Sequence, residues 1–352
     1  MHETRLARWA TAALAAMQLL AGPGAVIAQS LEPHRAVLMY QGADRDKRVL
    51  DKARQEGSVS VYSSLAPTEA QPLVEAFESK YGIKVQMWRG LSDGVVQRTL
   101  GEARGKRHVV DVIETNGPEM ESLAREHVLG EFYSPYLSDI PANVIPKHRQ
   151  WIPDRLTLYV VAYNTRKVRA DELPKSYDGF LDPKWKGRLA LEATDAEWMG
   201  GVVKVWGEAR GTEFFRRLGE MKPAMRKGHI LLVQLIASGE VDVGLTAYYA
   251  NAASVKRRGG PVDWAAVEPV IARPQGIGIA RQAPHPNAAL LFADFMLSPQ
   301  GQGLLADMGR APISRAVKSD IAGLHYVMSD PALILDESEQ WQQRWDKVFQ
   351  GK

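Results

Sequence analysis

The chain has 352 residues, no cysteine, and 44 basic against 41 acidic side chains, a formal charge of +3. The missing cysteines exclude disulfides, thiolate metal sites and cysteine nucleophiles. The near-neutral balance, with no arginine-rich or aromatic reading motif, argues against a nucleic-acid partner.

Arg5 and Arg8 precede an apolar run over 9–21, and GPGAVIA ends on small residues at Ala28. This three-part pattern predicts a signal peptide over 1–28 and export to the periplasm. The run is shorter than the roughly 20 residues a membrane helix needs, and no later stretch qualifies, so no membrane insertion of the mature chain is expected. Cleavage would leave 324 residues (352 less 28), more than one core usually serves, so two lobes are expected.

A helical extension is predicted over 29–57. Strand, helix, strand, helix and strand then follow in SVSVYSS (58–64), EAQPLVEAFESKYG (69–82), IKVQMWR (83–89), GVVQRTLGEARGK (94–106) and VVDVIET (109–115). That alternation implies βαβ units and a parallel sheet.

A second unit opens with the β-rich RLTLYVVAYNT (155–165) and strand WKGRLALEA (185–193). Helices follow in TDAEWMGGVVKVWGEA (194–209), GTEFFRRLGEM (211–221) and ILLVQLIASG (230–239), then strand EVDVGLTAYY (240–249). The run 261–280 reads as extended, and 287–309 as two helices. Lobe 1 is predicted over 58–157, completed by about 274–315, lobe 2 over 158–273, and a C-terminal helical segment over 316–352. No flexible linker separates the units, so the chain is expected to cross between lobes near 156–163 and 268–279. The fold class is α/β, two-lobed, with a ligand cleft between the lobes.

In such folds ligands sit at the carboxyl ends of strands. Placement alone then selects Ser63, Ser64, Trp88, Arg89, Thr115, Asn116, Asp195, Tyr248 and Tyr249 as ligand-binding candidates. Arg89 could clamp a carboxylate, and Trp88 could stack on a ligand. His229, at a helix start, is a further histidine of interest. T-x-x-E at 194–197 reads as a capping box, leaving Asp195 free to face the cleft. No HExxH pair, nucleophile elbow or phosphate-binding loop is present, and no enzymatic activity is expected.

The ordered set VSVYSS, AFESKYGIKV, VVDVIET, DPKWKGRLAL, ASGEVDVGLTAYYA and AALLFADFMLSPQGQ resembles the type II periplasmic binding proteins, in the branch with the ferric-ion-binding receptors. The resemblance implies a two-lobed periplasmic binding protein type II fold that closes on its ligand like a hinge. It also implies ABC permease and ATPase partners, ferric iron as transported ligand, no required cofactor, and a monomer. The metal-binding tyrosine pair of that branch falls on Tyr248 and Tyr249. Departures are plain: Leu65 and Ala66 stand where a histidine is frequent, Thr115 and Asn116 where a glutamate is, and the helix start that usually holds a small anion reads TDAE (194–197). These leave an organic carboxylate, amine or phosphonate as the alternative ligand, a membrane sensor as an alternative partner to the permease, and an enzyme on the same two-lobe fold as a further alternative.

Overall fold

The structure is a computed structural model that describes residues 33–351. The predicted signal segment lies outside the described residues. Two short helices open the description, α1 (Arg35–Leu38) and α2 (Arg45–Glu56). Lobe 1 follows as β1 (Ser58–Ser63), α3 (Pro67–Tyr81), β2 (Lys84–Arg89), α4 (Ser92–Arg104), β3 (Val112–Asn116), α5 (Gly117–Arg125) and the short β4 (Leu129–Gly130).

The long strand β5 (Trp151–Asn164) leads into lobe 2: β6 (Leu189–Glu192), α6 (Ala196–Trp206), α7 (Glu208–Glu220), β7 (Ala224–Arg226), α8 (His229–Ser238), β8 (Val243–Tyr248), α9 (Tyr249–Arg257) and β9 (Val262–Ala265). The chain returns along β10 (Ile271–Ala280), then α10 (Pro286–Leu297), α11 (Pro299–Asp307), β11 (Ala311–Pro312), β12 (Val327–Met328) and α12 (Pro331–Phe349).

Strand order is β2-β1-β3-β10-β5-β8-β6-β7. All 14 residues of β5 are buried, which a strand shared by two sheets requires. Its first part pairs antiparallel with β10 as far as Leu158, and from Tyr159 onward it pairs with β8 and β9. The second crossing runs from β9 into β10. Both lobes repeat one arrangement, with the middle strand (β1 or β6) flanked in parallel by an outer strand (β2 or β7) and an inner one (β3 or β8). The sequence carries no internal repeat, yet the topology does.

One apolar core, including Phe77, Ile113, Met120 and Phe295, fills lobe 1. A second, including Trp185, Trp198, Phe215 and Trp345, fills lobe 2. Gly276 is required where the crossing strands meet, because a Cβ there would fall 2.4 Å from the Trp151 ring. Strand β7, between the helices predicted over 211–221 and 230–239, is a three-residue edge strand, too short to show an alternating pattern. Helix α12 touches both lobes: Arg125 on α5 grips Asp336 at 2.5 and 3.0 Å, and Trp345 Nε1 donates to the Ala193 carbonyl at 2.9 Å.

Candidate functional site

The inner strands of the two lobes end on one short stretch of β10. From lobe 1, Asn116 accepts a hydrogen bond from Gln275 Nε2 at 2.9 Å. From lobe 2, the Tyr248 hydroxyl accepts one from Arg273 Nη2 at 3.2 Å. Residues 273 and 275 lie two apart and so share a strand face. The carboxyl strand ends of both lobes therefore converge at the hinge, where a cleft between lobes is expected.

The lobe 2 wall is polar and largely buried. Arg273 Nη1 also donates to Glu197 Oε2 at 3.1 Å, with the two side chains 18% and 13% exposed. His229 stacks on the Tyr248 ring, centroids 3.4 Å apart, and Tyr159 meets that ring edge-on at 5.3 Å. The His229 Nε2 lies 3.3 Å from Asp195 Oδ1, and Nδ1 lies 3.2 Å from the Thr246 carbonyl. Both ring nitrogens thus face oxygen atoms, one a carboxylate and one a backbone carbonyl. Glu192 accepts from Thr194 N, Thr194 Oγ1 and Gly228 N, which ties β6 to the starts of α6 and α8.

Glu192, Asp195 and His229 present ligand atoms within 4.8 Å of one another, with three of the roughly four acceptor sites of Glu192 taken by these donors. Asp195 Oδ2 and Glu197 Oε1 have no hydrogen-bond partner among the described residues. Burial pushes both carboxyl groups up from their ordinary range, against His229 for Asp195 and Arg273 for Glu197. The Tyr248 phenol is pushed up to about 12, again chiefly by burial.

The predicted capping box does not form. The residue capping α6 is Asp195, and its side chain makes no cap bond. The Thr194 hydroxyl instead reaches Glu192 at 2.7 Å, and Glu197 turns to Arg273. Charge-assisted bonds are about twice as strong as neutral ones, so they displace the cap.

On the lobe 1 wall, Ser63 donates to Glu114 Oε2 at 2.5 Å and accepts from Leu65 N. Glu114 Oε1 lies 2.5 Å from Arg155 Nη1, which also sits 3.1 Å from Asp154 Oδ2, all three side chains being buried. Two carboxylates share one guanidinium, and burial pushes Asp154 up to about 7. Ser64 is half-buried, its amide on the Glu114 carbonyl. Thr115 is buried, its hydroxyl without a partner among the described residues. Asn116 Nδ2 donates to Ser92 Oγ and, more weakly, to Glu119.

Trp88 lies edge-on to Tyr62 and beneath the Arg98 guanidinium, while the exposed Arg89 turns its Nε to the Leu65 carbonyl at 3.4 Å. The tyrosine neighbours part as strand alternation dictates. Tyr248 belongs to the polar cluster, whereas Tyr249 packs edge-on to Trp264 and donates to Asp320 at 3.2 Å.

Of the residues selected by placement, the structure brings Asn116, Asp195 and Tyr248 to the junction. Placement does not select Arg273, Gln275 or Tyr159, and the T-x-x-E spacing reads Glu197 as a helix cap. A signal for the first two existed: polar residues two apart in an otherwise apolar extended run.

Two α/β lobes joined by crossing strands, with both sets of strand ends at the hinge, define a two-lobed binding protein. A profile of the bacterial extracellular solute-binding protein family matches residues 62–303, and the chain belongs to that family. Similar proteins include "Iron uptake protein A1" of Synechocystis, 24% identical over 314 residues, covering 79% of this chain and 83% of that one. The "Major ferric iron-binding protein" of Neisseria meningitidis serogroup A is 25% identical over 260 residues, 70% of this chain and 78% of that one. Iron-bound HitA from Pseudomonas aeruginosa has the same fold, with TM-score 0.70 and 22% identity over 83% of this chain and 99% of that one. Among the described residues no helix is long and apolar enough to cross a membrane.

Proposed function

We propose that this chain is the exported receptor of an ABC importer, that it takes ferric iron in the interlobe cleft, and that it passes the ion to a membrane permease driven by an ATPase. It acts as a monomer in the periplasm, catalyses no reaction and needs no resident cofactor.

The observation that carries this reading is the surplus of acid at the junction. Four carboxylates gather there (Glu119, Glu192, Asp195 and Glu197), with Arg273 as the paired cation among them. The field of Glu119 from lobe 1 reaches both Glu197 and Arg273. Such a site draws a cation, and ferric ion, a hard acid, prefers oxygen ligands. Tyr248 as phenolate, with Asp195 and Glu197, supplies them. Tyr249 joins as a second phenolate only by leaving Asp320. The names of the Synechocystis and Neisseria relatives agree with this cargo.

The test is a titration of metal-free protein with ferric citrate, followed by visible absorbance and melting temperature. A phenolate-to-iron band with one ion per chain is expected. A colourless protein whose melting temperature responds to a small amine, carboxylate or phosphonate instead would replace iron with that ligand.

A further inference from the structure

We infer that Leu91 of lobe 1 and Ile230 with Leu231 of lobe 2 form an apolar latch that meets across the mouth of the cleft when the lobes close. Leu91 and Ile230 are the two most exposed large apolar side chains among the described residues, at 72% and 66%; Leu231 is 43% exposed. They occupy equivalent places. Leu91 follows the end of β2 and immediately precedes α4, while Ile230 and Leu231 follow the end of β7 in the first turn of α8.

Strands β2 and β7 are the two outermost strands of the continuous order, one in each lobe. They lie farthest from the shared strands β5 and β10, so a hinge rotation about those strands moves these two rims most. Both are parallel to their middle strands, which turns their carboxyl ends toward the same cleft.

Both apolar groups are also joined to cleft residues. Ser92, next to Leu91, accepts from Asn116 at the lobe 1 strand end. The preceding Gly90 lets Trp88 fold against the turn, since a Cβ there would sit 2.5 Å from the Trp88 ring. In lobe 2, Ile230 directly follows His229, which lies on the Tyr248 ring. Exposed aliphatic side chains are costly in water, and a topology that repeats in each lobe makes the opposite rim the surface that covers them. The latch rests on lobe closure and not on the identity of the cargo.

Because the chain has no cysteine, the double variant Leu91→Cys/Ile230→Cys holds the only thiols in the full protein. A disulfide requires the two Cα atoms to approach to about 6 Å. Copper-catalysed oxidation is run with and without ferric citrate, beside the control pair Leu91→Cys/Val205→Cys. The latch pair is expected to cross-link at least about tenfold faster than the control even without cargo, through transient closure, and faster again with ferric citrate. Cross-linking no faster than the control in both arms overturns the latch. If the cargo-free arm cross-links but ferric citrate produces neither acceleration nor a visible band, the iron reading fails and the latch stands. In Leu91→Asp/Ile230→Asp, ferric release is expected to be about tenfold faster with an unchanged association rate, as loss of a modest apolar contact implies. Unchanged release combined with lost transport would assign these residues to the membrane partner and overturn the latch.

Discussion

Replacing Tyr248 with phenylalanine removes one hydroxyl and leaves the ring that His229 and Tyr159 pack against. The fold should tolerate it. Burial pushes this phenol up to about 12, so at pH 7 the unbound side chain is a neutral phenol that donates no phenolate. Ionising it at pH 7 costs about 7 kcal/mol, five pH units at 1.36 kcal/mol each. A bound trivalent cation supplies this by its own field. The proton must then leave when iron binds, and the sign follows: affinity rises by about tenfold per pH unit for each proton displaced, and falls as the solution is acidified. Calorimetric titration with ferric citrate in buffers of different ionisation enthalpy counts the protons. Tyr248→Phe is expected to release one fewer proton than the parent, to lose the visible band, and to bind at least about a hundredfold more weakly. An equal proton count in parent and variant, with the band retained, would refute a phenolate role for Tyr248.

Cargo binding should close the hinge at Leu158 and Tyr159 and between β9 and β10, and X-ray scattering should show a smaller radius of gyration with ferric citrate than without. The triad Glu114–Arg155–Asp154 should make stability fall as pH rises from about 4 to about 7. Folded Asp154 keeps its proton up to about 7 while the unfolded chain has already lost it. Asp154→Asn should flatten that fall in urea denaturation measured across the range. Helix α12 should prove unequally fastened. Trp345→Ala, at a fully buried ring, should cost roughly 3–5 kcal/mol. Asp336→Ala, which frees the half-exposed Arg125, should cost far less, because solvent screens that pair; an equal loss for both in denaturant melts would show the lobe 1 end to be as firmly held as the lobe 2 end.

Local pattern was enough to read the alternation of strand and helix in both lobes, because apolar periodicity and glycine stops are written within ten or so residues of each element. It was enough for two lobes with multiple crossings, since length demanded two cores and no linker separated them. It also placed Asn116, Asp195 and Tyr248 at strand ends, where the parallel topology delivers them to the cleft. The partners of those residues lay beyond it. Arg273 lies 76 residues from Glu197 and 25 from Tyr248, and only the return of β10 beside β5 brings them together. The capping box failed for the same reason: local spacing favoured Thr194 and Glu197 as a cap, but Glu192 and Arg273 offered charged partners that spacing cannot reveal. The adjacent tyrosines were equal as letters. Tertiary structure separated them, because the strand ends at Tyr248 and its pleat sends one phenol to His229 and Arg273 and the other to Trp264 and Asp320.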